Sequence, residues 1–485
     1  MCCSPPFRGL VWVTIPLWLA GGGCTVGPDY EEPVLDAPDA WTRAIEHDLS
    51  HPLTGAQQWW LQFNDPTLNA LIRRAREASP NIRIARKRIE QAWYQRGVLA
   101  ASFYPHVDAT GRDEFGMGGF STDGIRIDPF ESNRTFGQID YGWEIDLFGR
   151  VKRSVQATEA EWQARYEGLR DAQVFISAEV AITYIAMRTM EKRLEVAIEG
   201  TENFRKIRDL IQIRYDEGIS ARSEIEEAKG RYNTTLGEIP RLQKELKLLE
   251  NKLAQLLAYH PGQLDAIVGP GRIPVPPTRV AAGVPANLIR SRPDVRRAER
   301  KIASQNETIG FHVARLYPAF SISGAITYEA ITRGGVLDLL RRVIGIGWTL
   351  RQRIYHACAD HYRIKEHQAI LEELIIEYEK TLIQAVTDVE DAMVMLNREG
   401  ERLEAYERAS EAHGETAELL LEAYKTGLID VRRLLNGYED TYLTDDEKYA
   451  TEGRRAAHAV RLFKALGGGE LPAPEEFPKP RGFPR

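Results

Sequence analysis

One cysteine near the N-terminus has neighbours that favour modification of its sulfur. Cys24 follows three glycines, and before them lies an apolar run over residues 10–20 with Arg8 in front of it. The run is too short to span a bilayer and is typical of an export signal, and small residues suit cleavage beside a cysteine whose sulfur carries a lipid. We therefore predict that residues 1–23 are a lipoprotein signal peptide and that Cys24 carries the lipid.

Other side chains suited to chemistry are sparse. His356, Cys358 and His361 are metal-ligand types, but a metal site needs further donors that the neighbouring residues do not evidently supply. We favour a structural role for them and predict no metal and no cofactor besides the lipid. The sequence lacks the HExxH, GxSxG and phosphate-loop motifs, so no catalytic residue is predicted and the chain is not expected to be an enzyme. A net charge of −7 gives no basic field for nucleic acid.

The elements that position these residues occur twice. Residues 80–89 align with residues 293–302, and at the same spacing Tyr104-Pro105 aligns with Tyr317-Pro318. Gly142-Trp143 and residues 213–219 also have counterparts, at residues 347–348 and 422–428. Four matches in the same order indicate a duplicated chain.

Each copy contains segments with strand periodicity. In the first copy Ile139 and Trp143 lie on one face of a period-two pattern, and Asp140, Glu144 and Asp146 lie on the other. The second copy repeats the alternation over residues 320–328 and 344–350, which makes four strands in two hairpins.

Four such strands cannot bury their apolar faces within one chain. In a bilayer only a closed barrel satisfies their backbone, and the smallest barrels have about eight strands. Subunits must then share one barrel, with the apolar faces toward lipid and Asp140, Glu144 and Asp146 toward a watery lumen. Residues 118–133 and 329–340 are rich in glycine and charge and are predicted to be exposed loops at the hairpin tips.

The remaining segments are long and helical. Residues 151–216 and 364–424 contain no proline, and each would reach on the order of 90 Å if unbroken. Returning helices are predicted over residues 221–259 and 431–466, with bends or breaks at the glycines and the proline that they contain (Gly237, Pro240, Gly437 and Gly453).

These patterns predict an α+β membrane protein with a helical barrel and a shared antiparallel transmembrane β-barrel, built from two internal repeats. We expect an N-terminal lipid-anchored extension over residues 24–65, a first repeat over 66–259, a Pro- and Gly-rich connector over 260–285, a second repeat over 286–466 and a flexible tail over 467–485.

Three motifs resemble the TolC-like outer-membrane efflux proteins, in their lipoprotein branch. They are Cys24-Thr25-Val26-Gly27-Pro28-Asp29-Tyr30, the central segment Arg292-Pro293-Asp294-Val295 with Tyr317-Pro318, and the two Tyr-x-x-Gly turns at Tyr215 to Gly218 and Tyr424 to Gly427. One departure lies after the fourth strand, where residues 352–358 replace the family's Phe-Asp-x-Gly segment.

The resemblance implies a homotrimer in the outer membrane that extends into the periplasm. It also implies a periplasmic adaptor and an inner-membrane pump as partners, with small compounds such as drugs or other toxic solutes as cargo. The two turns, with Tyr215, Gly218, Tyr424 and Gly427, would be the tips that contact the adaptor.

By the same resemblance Leu428 and Asp430 would close the periplasmic end. Three symmetry-related carboxylates in one pore attract cations and hold hydrogen bonds, but Asp430 could instead only cap the returning helix. Two other functions also stay open: a periplasmic scaffold or adaptor without a pore, and a channel that serves metal efflux or protein secretion.

Overall fold

The computed structural model describes residues 25–33, 56–122, 125–264, 267–277, 289–333 and 335–468 of the 485 residues. The predicted signal peptide, the lipidation site Cys24 and most of the predicted tail lie outside the described residues, as do parts of the N-terminal extension and the connector.

In each half of the chain, helical sequence is followed by a hairpin and two further helices. The first half contains α1 (Pro66–Ala78), α2 (Pro80–Ala100), β1 (His106–Thr122), β2 (Ile125–Ile145), α3 (Arg150–Asp216) and α4 (Arg222–Leu256). The second half contains α5 (Pro293–Ala314), β3 (Ala319–Arg333), β4 (Val336–Arg351), α6 (Ala359–Lys425) and α7 (Val431–Ala465). Helices α3 and α6 both have 67 residues, and α4 and α7 both have 35, so the predicted duplication is confirmed.

Prolines and capping side chains start the short helices. Pro66, Pro80 and Pro293 occupy the first positions of α1, α2 and α5, where a missing N–H costs nothing. Asp65 precedes α1 and accepts a 3.0 Å hydrogen bond from the Leu68 N–H. The same carboxylate accepts a 2.9 Å hydrogen bond from the Tyr184 hydroxyl, which attaches α1 to the middle of α3.

The strands form one antiparallel sheet in the order β1, β2, β3, β4. They are longer than predicted: residues 118–122, 125–133, 329–333 and 336–340, expected as loops, continue the ladder. The loop prediction was wrong because backbone hydrogen bonds between neighbouring strands form whether a residue is a glycine or carries a charged side chain. In the opposite direction β2 ends at Ile145, so Asp146 lies beyond the strand.

The long helices form a layer around α3. Helix α3 packs between α4 and α7, α6 lies on the far side of α7, and α5 fits against α3 and α6. At 1.5 Å per residue, α3 and α6 are roughly 100 Å long. A large core cluster attaches the segment just before α1 to the end of α7. The rings of Trp59 and Phe463 stack there with centroids 5.4 Å apart. Among the described residues, no helix combines the length and apolar content that crossing a membrane requires.

The returning helices α4 and α7 each continue without a break through the glycines and the proline at which bends or breaks were predicted, so the predicted breaks do not occur. In α7 the glycines instead permit close packing. A Cβ atom at Gly437 would overlap Leu420 of α6, and one at Gly453 would overlap the Thr189 hydroxyl of α3. Burial against neighbouring helices thus outweighs the low helix propensity of glycine.

In both halves the residue before the long helix has a left-handed backbone, although the two residues differ in type. Gly149 precedes α3 with φ of 77°, and Cys358 precedes α6 with φ of 62°. A left-handed backbone is strain-free for glycine but costs other residues about 1 kcal/mol or more. The segment at residues 352–358 therefore keeps a left-handed position before the helix but fills it with a residue other than glycine.

Candidate functional site

The sheet has one apolar face that is open to its surroundings. The register aligns Ile139 with Ile326 and Ile326 with Ile344, so the three side chains share a face. On the same face of β4, Ile344 is 82% exposed and Trp348 is 71% exposed. A continuous exposed apolar face of this kind is suited to lipid.

The opposite face is polar. Asp140 of β2 lies directly across from Asp108 of β1, which puts two carboxylates side by side. Near the inner end of the sheet, where the strands lead into the helices, Glu144 forms a bidentate ion pair with Arg150, with Nε to Oε1 at 2.9 Å and Nη2 to Oε2 at 2.5 Å. Asp140 and Glu144 therefore lie on the face for which the lumen was predicted, and their lining of a lumen stays a prediction.

Asp146 has a different position. It follows β2, and its Oδ2 accepts a 2.8 Å hydrogen bond from the Lys152 backbone N–H in the first turn of α3. A carboxylate is favourable there because the first N–H groups of a helix have no partner inside the helix. We therefore correct the placement of Asp146: it caps α3 and is not part of the strand face.

Both edges of the sheet are open. Within the described residues, β1 pairs only with β2 and β4 pairs only with β3. The unpaired N–H and C=O groups of two long edge strands need partners in a bilayer. One copy of the chain therefore cannot complete the sheet.

The first helical tip is a glycine turn at the end of α3. The Gly218 N–H donates to the Tyr215 carbonyl at 2.8 Å, and the Ile219 N–H donates to the Arg214 carbonyl at 2.8 Å. Gly218 has φ of 75°, which explains the requirement for glycine. The Tyr215 side chain is exposed and accessible to a partner.

The second tip repeats this turn at the end of α6 but exposes different side chains. Gly427 has φ of 77° and its N–H donates to the Tyr424 carbonyl at 3.0 Å. Tyr424 is only 4% exposed, so its ring belongs to the core of the tip, whereas Leu428 is 79% exposed. Asp430 caps α7, accepting a 2.9 Å hydrogen bond from the Arg433 N–H.

A salt bridge, a hydrogen bond and a shared core join the two tips. Arg432 of α7 lies 3.5 Å from Glu227 of α4, and Arg214 of α3 donates to the Tyr424 carbonyl. Ile211 and Leu434 are buried in the cluster between them. The two turns thus form one unit at the end of the helix layer that is farthest from the sheet.

Residues 25–33 are held at the opposite end of the helix layer, beside the sheet. Arg153 of α3 is 3% exposed and donates to the Val26 and Gly27 carbonyls at 3.2 and 3.3 Å, to Asp29 at 2.9 Å and to Glu307 of α5 at 2.8 Å. Burial by itself lowers the pKa of Arg153, but the hydrogen bonds to Glu307 and Asp29 outweigh it and raise the pKa.

The start of that segment lies where the sheet ends. The Val26 N–H donates to the Phe148 carbonyl at 3.3 Å, and Thr25 lies against Gly149. The described chain therefore begins at the junction between β2 and α3.

Arg292 of the central segment Arg292-Pro293-Asp294-Val295 joins three helices. Arg292 donates to the Ala465 carbonyl at the end of α7 at 2.7 Å and forms ion pairs with Asp294 at 2.8 Å and Asp388 of α6 at 3.2 Å. One guanidinium thereby connects α5, α6 and α7. Burial by itself lowers the pKa of Arg292, but the ion pairs with Asp294 and Asp388 outweigh it and raise the pKa.

His356, Cys358 and His361, the residues of metal-ligand type, belong to no group of metal-binding side chains in the described part of the chain. His356 Nδ1 lies 3.3 Å from Asp360, and no group of three or more metal-binding side chains occurs in the part of the chain that the structure describes.

A sheet with an open apolar face and a polar face, continued by helices roughly 100 Å long with glycine-turn tips, defines the subunit of an outer-membrane channel with a periplasmic helical part. The sequence comparisons identify the family. The model of the outer membrane efflux protein family matches residues 71–258 and 284–468, so the chain belongs to that family.

Relatives cover nearly the whole chain. It is 26% identical to nodulation protein T of Rhizobium leguminosarum bv. trifolii, over 93% of this chain and 95% of the relative. It is 22% identical to the cation efflux system protein CusC of Escherichia coli K12, over 93% of this chain and 97% of the relative. Among solved structures, the outer-membrane channel OprN superposes with a TM-score of 0.80 at 28% identity, over 93% of this chain and all of that chain. The predicted fold class, family and outer-membrane location are confirmed.

Sequence reasoning missed the residues that tie the site together. Arg153 and Arg214 have no distinctive neighbours in the sequence, since arginine is common in long exposed helices. Arg292 was part of a motif, but its partners Ala465 and Asp388 are too distant in sequence to be inferred from it.

Proposed function

We propose that three copies of this chain form a passive channel through the outer membrane, which carries small compounds such as drugs or other toxic solutes out of the cell. The observation that carries the proposal is the sheet, with its exposed apolar face and two open edges. Three copies joined edge to edge would close a barrel, with the polar face around water.

The channel works with a periplasmic adaptor and an inner-membrane pump. The pump supplies the driving force, so the chain itself needs no catalytic residue and no cofactor. The adaptor contacts lie on the exposed parts of the two tips, around Tyr215 and Gly218 in the first and Gly427 and Leu428 in the second, because an axial partner reaches these first. Tyr424 supports the second tip from within.

The lipid anchor belongs to the same arrangement. Thr25 lies against Gly149, so a lipid on Cys24 would enter the bilayer near the inner end of the strands, after removal of the predicted signal peptide. The anchor would hold the sheet end of each subunit at the membrane. Mass spectrometry of the mature protein should find the acyl groups on Cys24 and should find none in Cys24→Ala.

At the periplasmic end, Leu428 and Asp430 would narrow the channel. Leu428 is exposed although apolar, and Asp430 is exposed although it caps α7 with Oδ1. Helix capping and pore closure are compatible roles because the capping bond uses one of the two carboxylate oxygens.

Fractionation, oligomer size and conductance test this function together. A trimer extracted from the outer membrane that produces discrete current steps in a planar bilayer is the expected result. A monomeric, non-conducting protein would instead favour a periplasmic scaffold. Cation efflux, the function in the name of the relative CusC, is a second candidate for the cargo, and transport assays with metal ions would distinguish it from efflux of organic compounds.

A further inference from the structure

A cleft lies at the inner end of the sheet, where strands and helices meet. Its volume is about 180 Å³, and its charged lining consists of four arginines and two carboxylates: Arg150, Arg315, Arg351, Arg353, Glu144 and Asp146. The cleft is therefore basic although the whole chain has a net charge of −7. Such a local reversal of charge is a candidate for recognition of anions.

The cleft opens toward the polar side of the sheet. Thr349 of β4 lies across from Ser321 of β3, and Ser321 lies across from Glu144, so the three share the polar face. Arg351 is two residues beyond Thr349 and points to the same side. Trp348 and Ile344, on the other face, belong to the exposed apolar surface. Arg351 is thus on the side assigned to the lumen.

The carboxylates in and around the cleft pair with three of its four arginines and leave Arg351 without an ion pair among the described residues. Glu144 is held by Arg150. Arg353 Nη1 lies 3.3 Å from Asp360, a carboxylate that also pairs with His356 at 3.3 Å, and Arg315 reaches it only at 4.0 Å.

The positive charge of Arg351 is not compensated by a neighbouring carboxylate among the described residues. It forms no ion pair with any residue in the described ranges, and it is exposed. Burial, followed by the positive charge of Arg353, lowers the pKa of Arg315, which agrees with a surplus of positive charge at this place.

We propose that the cleft binds anionic groups, so that solutes carrying phosphate, sulfate or carboxylate are favoured on their way through the lumen. The inference rests on the proposed channel function, because only the trimer places three such clefts around one water-filled path. Guanidinium groups suit this role, since their parallel N–H donors match the oxygens of phosphate and carboxylate. Solutes would be held by Arg351 and Arg353, which both line the cleft.

Equilibrium binding of pyrophosphate to the detergent-extracted trimer tests the site even if the channel rests closed. Titration calorimetry should give a dissociation constant that is at least roughly tenfold weaker for Arg351→Gln with Arg353→Gln, because hydrogen bonds to charged groups are lost. Arg398→Gln is the matched control: Arg398 is exposed on α6 and pairs within that helix with Glu401 at 2.7 Å. This control should bind pyrophosphate like the parent.

Block of the channel current by pyrophosphate tests whether the cleft faces the lumen. Pyrophosphate added on the external side should reduce the current of the parent channel, more strongly when the voltage drives anions inward, and should block the double variant roughly tenfold less well. A conducting channel that is not blocked, or a block that the double variant retains, overturns the inference and leaves the channel function standing. Arginines that bind lipid phosphate instead would give a trimer stabilised by anionic lipid but not blocked by pyrophosphate, which also overturns it. A parent that is monomeric would contradict the channel function itself.

Discussion

The guanidinium carbon of Arg214 lies 4.7 Å from the centre of the Tyr424 ring, and Nη1 of Arg214 donates a 2.9 Å hydrogen bond to the Tyr424 carbonyl oxygen. Arg214 is in the last turn of α3 and Tyr424 is in the last turn of α6, so a single side chain joins the tips of the two repeats. Any movement that separates the tips must break both contacts.

We expect Arg214→Ala to loosen the periplasmic end. The cation–π contact and the hydrogen bond together contribute about 1–3 kcal/mol, which corresponds to roughly a 5- to 150-fold change in the ratio of open to closed tips. Single-channel recording should show a higher open probability. Arg205→Ala is the control, since Arg205 lies on the same helix but is exposed and pairs locally with Glu202 at 2.7 Å. Equal behaviour of the two variants would contradict a coupling role for Arg214.

Asp430 can be examined by separating its charge from its capping oxygen. Asp430→Asn retains an acceptor for the Arg433 N–H, whereas Asp430→Ala removes charge and cap together. If the carboxylates close the pore, both variants should raise conductance, and only the alanine variant should also lose about 1 kcal/mol of stability. A parent-like conductance of Asp430→Asn, with only Asp430→Ala destabilised, would leave capping as the sole role.

Cys358 occupies a left-handed position that the first repeat fills with Gly149. Replacing Cys358 by glycine should therefore raise the free energy of unfolding by about 1 kcal/mol, because the strain of a Cβ atom at positive φ is removed. Thermal unfolding of the extracted protein measures the change. Cys358→Ala is the control that removes the thiol but leaves the strain, and stabilisation of both variants to the same extent would argue against the backbone explanation.

Gly453 should not tolerate a side chain. A Cβ atom there would overlap the hydroxyl of Thr189, so Gly453→Ala should destabilise the packing of α7 on α3 by about 1–3 kcal/mol. Gly414→Ala on α6 is the matched control, because a Cβ atom at that position would meet no atom within 4 Å apart from its own stretch of helix. The control should be neutral or stabilising by about 0.5–1 kcal/mol, since alanine is the better helix former. Chemical denaturation compares the two.

His312 should make the fold sensitive to mild acid. Burial, and then the positive charge of His367, lower its pKa, and the two rings stack with centroids 4.2 Å apart. Arg315 and Arg363 lower the pKa further, while Glu366 opposes them. The unfolded chain therefore binds the proton more readily, and stability falls as the pH drops below about 6.5, the ordinary value for histidine.

Substituting His312 by glutamine should remove part of this dependence. The unfolding temperature of His312→Gln should fall less steeply between pH 7 and pH 5 than that of the parent, with little difference above pH 7. His260→Gln, at an exposed position in the connector, is the control and should follow the parent at every pH. A His312→Gln curve parallel to that of the parent would show that other groups cause the acid sensitivity.

The sequence by itself determined the features that depend on local pattern. Matching motifs at constant spacing revealed the duplication, the alternation around Ile139 and Asp140 gave the two faces of the sheet, and the two Tyr-x-x-Gly turns located the tips. These succeeded because side-chain periodicity and the need for glycine at positive φ are properties of a few consecutive residues.

Only the tertiary structure decided how far the strands extend, why Gly453 does not break α7, and which charges meet. Strand ends depend on whether a neighbouring backbone supplies hydrogen bonds, and the packing of Gly453 depends on the position of Thr189. The contact of Arg214 with Tyr424 and the gathering of Arg150 and Arg351 in one cleft join residues that are about two hundred positions apart. Charged side chains on long helices look alike in sequence, and only the packing of those helices selects their partners.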